Sequence, residues 1–171
     1  LTGTAGPFAG EWQRSHGGGG SSWKTTLWEG GHRVVGIAHW PGTVPAAVSG
    51  ALTSSLDCMP TFAELAGVAL PADRTFDGMS LAKILPTGLP KNDSAHPTLF
   101  HPLSGAGGGG PLDAMRLGDY KAHWTTGGAP DCGGTKSRVR HRVRHHDPPL
   151  LFDLGADPAE ANALDVAAAP Y

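Results

Sequence analysis

Glycine and proline limit how much regular secondary structure this chain can form. Its 171 residues include 26 glycines and 15 prolines, and four glycines stand in a row at positions 17–20. Glycine lowers helix stability because its backbone loses more freedom on folding, and proline removes a backbone donor. Residues 1–32 are therefore predicted to form a long loop, which the aromatic side chains of Trp12, Trp23 and Trp28 anchor.

The remaining composition is that of a globular protein. Hydrophobic residues make up 39% of the chain and the formal net charge is -2, so bulk charge does not point to nucleic acid as a partner. No apolar run approaches the roughly 20 residues of a membrane span. The chain opens at Leu1 with neither methionine nor a signal-peptide pattern, which we interpret as the start of a piece of a longer protein.

Apolar runs and turn residues predict an α/β part over residues 1–90. The run from Arg33 to Trp40 is typical of a strand buried on both faces. Residues 58–67 predict a helix with Pro60 in its first turn and Gly67 at its end. The apolar stripe of this helix is expected to be packed, and a second short helix is predicted at 80–85. The stripe consists of Leu56, Met59, Phe62, Ala63 and Ala66.

The pattern changes after residue 90, and residues 91–171 are predicted to form a small antiparallel β subdomain with a terminal helix. Strands are predicted at 98–101 and 149–154, and Gly118-Asp119 marks the turn of a β-hairpin. The helix is expected to open at Asp157-Pro158.

Several short motifs follow one another in an order that resembles a known family. The motifs are Lys24 with Glu29-Gly30-Gly31-x-Arg33, Trp40-Pro41-Gly42, Ser55-Leu56-Asp57 with Pro60-Thr61, Asp77-Gly78 and Leu81, Gly118-Asp119-Tyr120-Lys121-Ala122-His123, and Pro148-Pro149-Leu150-Leu151-Phe152-Asp153-Leu154 with Asp157-Pro158 and Glu160-Ala161-Asn162. Together they resemble the C-terminal portion of the formylglycine-dependent sulfatases, of the arylsulfatase A and galactosamine-6-sulfatase type. The resemblance implies an alkaline-phosphatase-like α/β fold and, for the full-length parent, hydrolysis of sulfuric esters.

The same resemblance assigns Lys24 to the sulfate group of the substrate. A lysine ammonium about 4 Å from an anion contributes on the order of 4 kcal/mol at an effective dielectric constant near 20. Glu29 is instead expected to fix a turn by accepting backbone N–H groups, and Arg33 to pair with a carboxylate or carbonyl. Replacement of Lys121 by alanine is expected to have little effect on kcat/KM of the full-length parent.

The resemblance also implies that the chain lacks the reacting groups. The family's nucleophile comes from a Cys/Ser-x-Pro-x-Arg motif, and Cys58-Met59-Pro60-Thr61-Phe62 begins like that motif but ends in Phe62. Cys58 is therefore not expected to be the nucleophile. The calcium ligands of the parent are expected before Leu1, so this chain is predicted to hold no metal ligand and to be inactive alone. The family's cysteine partner for Cys132 is replaced by Ser22, which leaves Cys132 without that partner.

Family resemblance further implies a small-molecule or glycan sulfate ester as substrate, and a lysosomal or secreted protein. In that setting Asn92, in Asn92-Asp93-Ser94, becomes an N-glycosylation acceptor. Two alternatives remain at this point. One is a non-catalytic anion-binding module that uses the basic run at 136–144, which otherwise is a charged surface segment. The other is a phosphoesterase of the same superfold, with a plain Ser or Thr nucleophile.

Overall fold

A computed structural model describes residues 5–16, 22, 24, 26–91, 94–102, 112–127 and 143–168. The helices and strands are α1 (Glu11–Ser15), α2 (Glu29–His32), α3 (Cys58–Leu65), β1 (Thr98–His101), β2 (Ala114–Leu117), β3 (Tyr120–Thr126) and β4 (Arg144–Asp153). Short 3-10 turns lie at Ser55–Asp57 and Leu85–Thr87. Within the described ranges, no helix has the length and apolar character needed to cross a membrane.

The chain groups into two compact units. The first unit contains the described residues up to Val34 and those from Thr98 onward, and the second unit contains Val35–Pro97. The division of the chain into residues 1–90 and 91–171 stays a prediction.

A four-stranded antiparallel sheet in the order β1-β2-β3-β4 forms the centre of the first unit. Gly118 turns the chain between β2 and β3 with a φ of 57°, a region that favours glycine. Leu117 and Tyr120 pair directly across this turn, as the predicted hairpin requires. The strands predicted at 98–101 and 149–154 are confirmed, and β4 begins earlier than predicted, at Arg144.

The core of the first unit combines the N-terminal segment with the end of β4. Trp12 and Trp28 are buried with Phe152 and Leu154, and the rings of Trp28 and Phe152 meet edge to face at 5.7 Å. The predicted anchoring by these two tryptophans is confirmed. The loop predicted over residues 1–32 is interrupted by α1 and α2, because contacts with β4 and the following turn stabilise short helical turns that the local sequence does not favour.

The second unit is built around the start of α3. The side chains of Ser54 and Asp57 accept hydrogen bonds within a capping box, and Asp57 is fully buried. Asp57 Oδ1 also accepts from the backbone N–H of Met79 at 2.9 Å and lies 2.6 Å from His96 Nε2. The helix predicted at 58–67 is confirmed with its end at Leu65.

The apolar stripe of α3 is not packed, contrary to the sequence prediction. Phe62 is 66% exposed, and Leu56 and Met59 are also more than half exposed. An amphipathic pattern requires a partner surface, and no described element covers this face.

The prediction of a central strand at residues 33–40 is also wrong. The segment forms no strand, and Val35 and Ile37 are 87% and 86% exposed. A strand is stable only when neighbours satisfy its backbone groups. No described strand pairs with this segment.

Two predicted helices are replaced by turns. After Ser80 the chain forms a turn and the 3-10 segment Leu85–Thr87, which ends at Gly88 with a φ of 79°. The predicted terminal helix is absent because Glu160 adopts a φ of 52°, which cannot continue a right-handed helix. Asp157 Oδ2 instead accepts from the backbone N–H groups of Ala161 and Asn162.

Candidate functional site

Lys24 lies at the surface of the first unit, next to the C-terminal end of α2. Its side chain is exposed, and Nζ donates a 3.0 Å hydrogen bond to the carbonyl oxygen of Gly31. An ammonium group has three donors, so Lys24 retains donors for an anion. The predicted sulfate-binding residue is thus exposed, and its ammonium is hydrogen-bonded to α2.

Glycine is required inside α2. A Cβ atom placed on Gly30 would collide with the backbone carbonyl oxygen of Phe8. The clash is with backbone, so a side chain at this position would displace α2 from the neighbouring segment. This close approach explains in physical terms why glycine follows Glu29.

Glu29 lies at the centre of a cluster of positive side chains. Its Oε1 accepts from Lys121 Nζ at 3.0 Å, and its Oε2 accepts from Arg116 Nη1 at 3.1 Å. Arg33 Nη1 is 3.7 Å from the same Oε2, and its guanidinium lies 4.1 Å from the centre of the Phe8 ring. The expected carboxylate pairing of Arg33 is confirmed. The turn-fixing role expected for Glu29 is wrong, because its carboxylate receives cationic side chains from β2 and β3.

A second buried carboxylate, Glu160, completes this cluster. Glu160 Oε1 is 3.2 Å from Lys121 Nζ and 2.9 Å from His123 Nε2, while Oε2 accepts from the backbone N–H of Glu29 at 2.7 Å. Burial by itself would raise the pKa of Glu160, but the hydrogen bond from His123 and the charge of Lys121 outweigh it and lower that pKa. We call Glu29, Lys121, His123 and Glu160 the buried charge cluster.

Burial lowers the pKa of His123, which favours the neutral imidazole. The neutral ring donates from Nε2 to Glu160, and its Nδ1 is then an acceptor that has no hydrogen-bond partner in the described part of the chain. The cluster therefore holds two carboxylates against Lys121 and the adjacent Arg116 and Arg33. Of these three cations Arg33 is half exposed, so Lys121 and Arg116 are the cations that face the two buried carboxylates most closely.

Sequence reasoning missed Lys121, His123 and Glu160. Lys121 is fully buried, although it was expected to be dispensable. One signal was present, because Lys121 and His123 are two residues apart and so face the same side of a predicted strand. Their common partner Glu160 belongs to the family motif Glu160-Ala161-Asn162, but it lies 37 positions beyond His123, so the motif did not indicate this contact.

A pair of histidines lies in the same unit. The rings of His32 and His101 are 4.5 Å apart, and burial with the nearby positive charge of Lys121 lowers the pKa of both. For His101 the pKa falls to about 3, so this ring is neutral at neutral pH.

The described residues do not form a metal site. Nowhere in the described ranges do three His, Cys, Asp or Glu side chains come together in a way that could hold a metal ion. The calcium that the family resemblance implies for the parent does not fit any described residues of this chain. Three other sequence features lie outside the described residues: Asn92, Cys132 and positions 136–142 of the basic run.

Comparison with known proteins identifies the family. A family model described as the C-terminal region of aryl-sulfatase matches residues 94–171. Arylsulfatase G of Canis lupus familiaris is 49% identical over the whole chain, which covers 31% of that protein. This chain belongs to the sulfatase family. The predicted membership, as the C-terminal portion of a sulfatase, is confirmed.

Other sulfatases extend this relationship. Human arylsulfatase G is 45% identical over 100% of the chain and 31% of that protein, and human arylsulfatase A is 39% identical over 80% and 27%. This chain thus spans less than a third of the length of these relatives.

A solved sulfatase structure supports the fold. The crystal structure of PsFucS1 sulfatase from Pseudoalteromonas sp. superimposes with a TM-score of 0.65 at 27% identity, over 85% of this chain and 28% of that one. The predicted alkaline-phosphatase-like sulfatase fold, represented by its C-terminal part with a small antiparallel sheet, is confirmed.

Proposed function

We propose that this chain is the C-terminal part of an enzyme that hydrolyses sulfuric esters, and that Lys24 binds the sulfate group of the substrate. The observation that supports this role is the position of Lys24, whose exposed ammonium is held at one carbonyl and has donors left over. The relatives named arylsulfatase support the reaction class. The substrate would be a small-molecule or glycan sulfate ester.

Hydrolysis of a sulfate ester breaks an S–O bond and adds water, which yields an alcohol and sulfate. Negative charge develops on the sulfuryl oxygens and on the leaving oxygen during this step. A fixed cation stabilises such charge better in the transition state than in the ground state, which is the requirement for catalysis. Lys24 would supply that cation, with its ammonium oriented by the hydrogen bond to the Gly31 carbonyl of α2.

The other parts of the reaction would come from residues outside this chain. No Cys/Ser-x-Pro-x-Arg motif occurs in the 171 residues, so the chain has no counterpart of the family's nucleophile. We therefore propose that the chain by itself is inactive. A divalent cation, calcium by family resemblance, would be held outside the described residues, and none of the steps derived for this chain depends on it.

The proposed compartment is the lysosome or the outside of the cell, as the family resemblance implies. The alternative of a non-catalytic anion-binding module stays open, and positions 136–142 of its basic run lie outside the described residues. At its described end, Arg144 Nη1 donates to the backbone carbonyl of His16 at 3.3 Å.

Substitution of Lys24 in the full-length enzyme tests the proposal. We expect Lys24→Ala to lower kcat/KM for p-nitrophenyl sulfate by about 10² to 10³-fold, the usual effect of losing one electrostatic donor. Lys83→Ala is the matched control, since Lys83 is an exposed lysine of the second unit. Equal and small effects of the two substitutions would contradict the role of Lys24.

A further inference from the structure

The buried lysine of β3 joins parts of the chain that are far apart in sequence. Lys121 Nζ lies 3.0 Å from Glu29 Oε1 and 3.2 Å from Glu160 Oε1, and its side chain is completely buried. A buried ammonium is tolerated only where its hydrogen-bonding partners replace the water it has lost. The two carboxylates supply that replacement, so their positions and that of Lys121 depend on one another.

Both ends of Glu29 are held by this arrangement. The carboxylate of Glu29 accepts from Lys121, and the backbone N–H of Glu29 donates to the other oxygen of Glu160 at 2.7 Å. Glu29 is the first residue of α2, a helix of four residues. A single helical turn has no stability of its own, so contacts made by its residues determine where it lies.

The position of α2 in turn determines the surroundings of Lys24. Gly31 lies two residues after Glu29, and its carbonyl oxygen accepts the hydrogen bond from Lys24 Nζ. Gly30 packs so tightly against the Phe8 carbonyl that α2 has no room to shift toward it. A continuous set of contacts therefore runs from Lys121 through Glu29 and Gly31 to Lys24.

We propose that Lys121 is a positioning residue for Lys24: the Lys121–Glu29–Glu160 contacts hold α2 so that the Gly31 carbonyl orients the Lys24 ammonium toward the sulfate group. This inference rests on the proposed function of Lys24. Lys121 itself touches no substrate, because it is fully buried beneath the sheet surface. Its effect on catalysis is transmitted through α2.

The test uses the full-length enzyme with the variant Lys121→Met, which keeps the length of the side chain and removes its charge. We expect kcat/KM to fall by about 10 to 100-fold, because a displacement of about 1 Å at a catalytic group costs up to about 10²-fold. The inhibition constant of inorganic sulfate should rise as well, since this ion probes anion binding at Lys24 without the chemical step. Lys24→Ala should raise the same constant.

A double variant and a control separate positioning from general stability. In Lys24→Ala/Lys121→Met we expect no loss beyond that of Lys24→Ala alone, because Lys121 acts through Lys24. His96→Leu is the control, since it removes the partner of another buried carboxylate, Asp57, in the second unit. It should lower the melting temperature but leave the sulfate inhibition constant of the folded enzyme unchanged.

Each result has one consequence. If Lys121→Met lowers only the melting temperature while Lys24→Ala weakens sulfate inhibition, Lys121 is merely structural and the inference is wrong. If Lys24→Ala leaves sulfate inhibition unchanged, the role of Lys24 and this inference fall together. If Lys121→Met does not fold, the same measurements are made on Glu29→Gln, which weakens the same contacts without removing the buried lysine. A change in its melting temperature alone would likewise contradict the inference.

Discussion

At the residue scale, buried polar side chains determine the geometry of the first unit. The Gln13 side chain oxygen accepts from Trp28 Nε1 at 2.7 Å and from the backbone N–H of Gly127 at 3.0 Å. Gln13 is buried, so water cannot replace these bonds. One amide oxygen thus joins α1, the segment before α2 and the end of β3.

We predict that Gln13→Leu destabilises the protein by about 1–3 kcal/mol, because the buried Trp28 Nε1 and the partly buried N–H of Gly127 lose their acceptor at once. Arg14→Ala, the neighbouring substitution, should cost less than about 1 kcal/mol, since the Arg14–Glu11 pair is exposed. Denaturant unfolding of the two variants and the parent protein gives the comparison. Similar losses for both variants would show that the Gln13 bonds contribute little.

At the element scale, α3 is joined to the loop that follows residue 77. The backbone N–H of Met79 donates to Asp57 Oδ1, and that of Leu81 donates to Thr61 Oγ1 at 2.9 Å. Thr61 Oγ1 in turn donates to the carbonyl of Asp57 at 2.6 Å. These bonds explain why Thr61, together with Pro60, is buried in α3 while the apolar stripe is not.

Gly78 is the residue of this loop that tolerates no side chain. A Cβ atom there would collide with the backbone carbonyl of Leu56, at the start of the capped turn. We predict that Gly78→Ala lowers the free energy of unfolding by about 1–3 kcal/mol through overpacking. Gly36→Ala should change it by less than about 0.5 kcal/mol, because open space surrounds Gly36. Thermal unfolding of both variants tests the pair, and equal melting temperatures would refute the close packing.

At the scale of the whole molecule, the chain leaves much apolar surface exposed. Large exposed hydrophobic side chains include Val34 in the first unit and, in the second unit, Val35, Ile37, Trp40, Val48, Leu56, Met59, Phe62, Leu65 and Val68. Many exposed large apolar side chains in one protein indicate interaction surfaces or an aggregation hazard. The length of the sulfatase relatives suggests that further parts of a longer protein would cover it.

We predict that the purified 171-residue chain enhances the fluorescence of the apolar dye 8-anilinonaphthalene-1-sulfonate strongly and does not hydrolyse p-nitrophenyl sulfate. The dye reports the exposed apolar side chains, and the absent nucleophile motif prevents turnover. The full-length enzyme at equal molar concentration is the control, and it should bind less dye and turn over substrate. Turnover by the isolated chain would show that it contains a nucleophile we have not identified.

Local patterns in the sequence determined the local elements. Gly118-Asp119 predicted the hairpin because a turn with positive φ favours glycine. Residues 58–67 predicted α3 because Pro60 and Gly67 lie close to the helix ends that they mark. The ordered motifs predicted the sulfatase family, which the comparisons confirm.

Only the tertiary structure decided what is buried and which charges meet. Glu29 and Glu160 are 131 positions apart, so no local pattern predicted that both carboxylates pair with Lys121. The apolar run at 33–40 predicts a buried strand, but burial and strand pairing depend on contacts with other parts of the fold, which the run alone does not specify. Periodicity indicates which side of an element is apolar, whereas contact with the rest of the fold decides whether that side is buried.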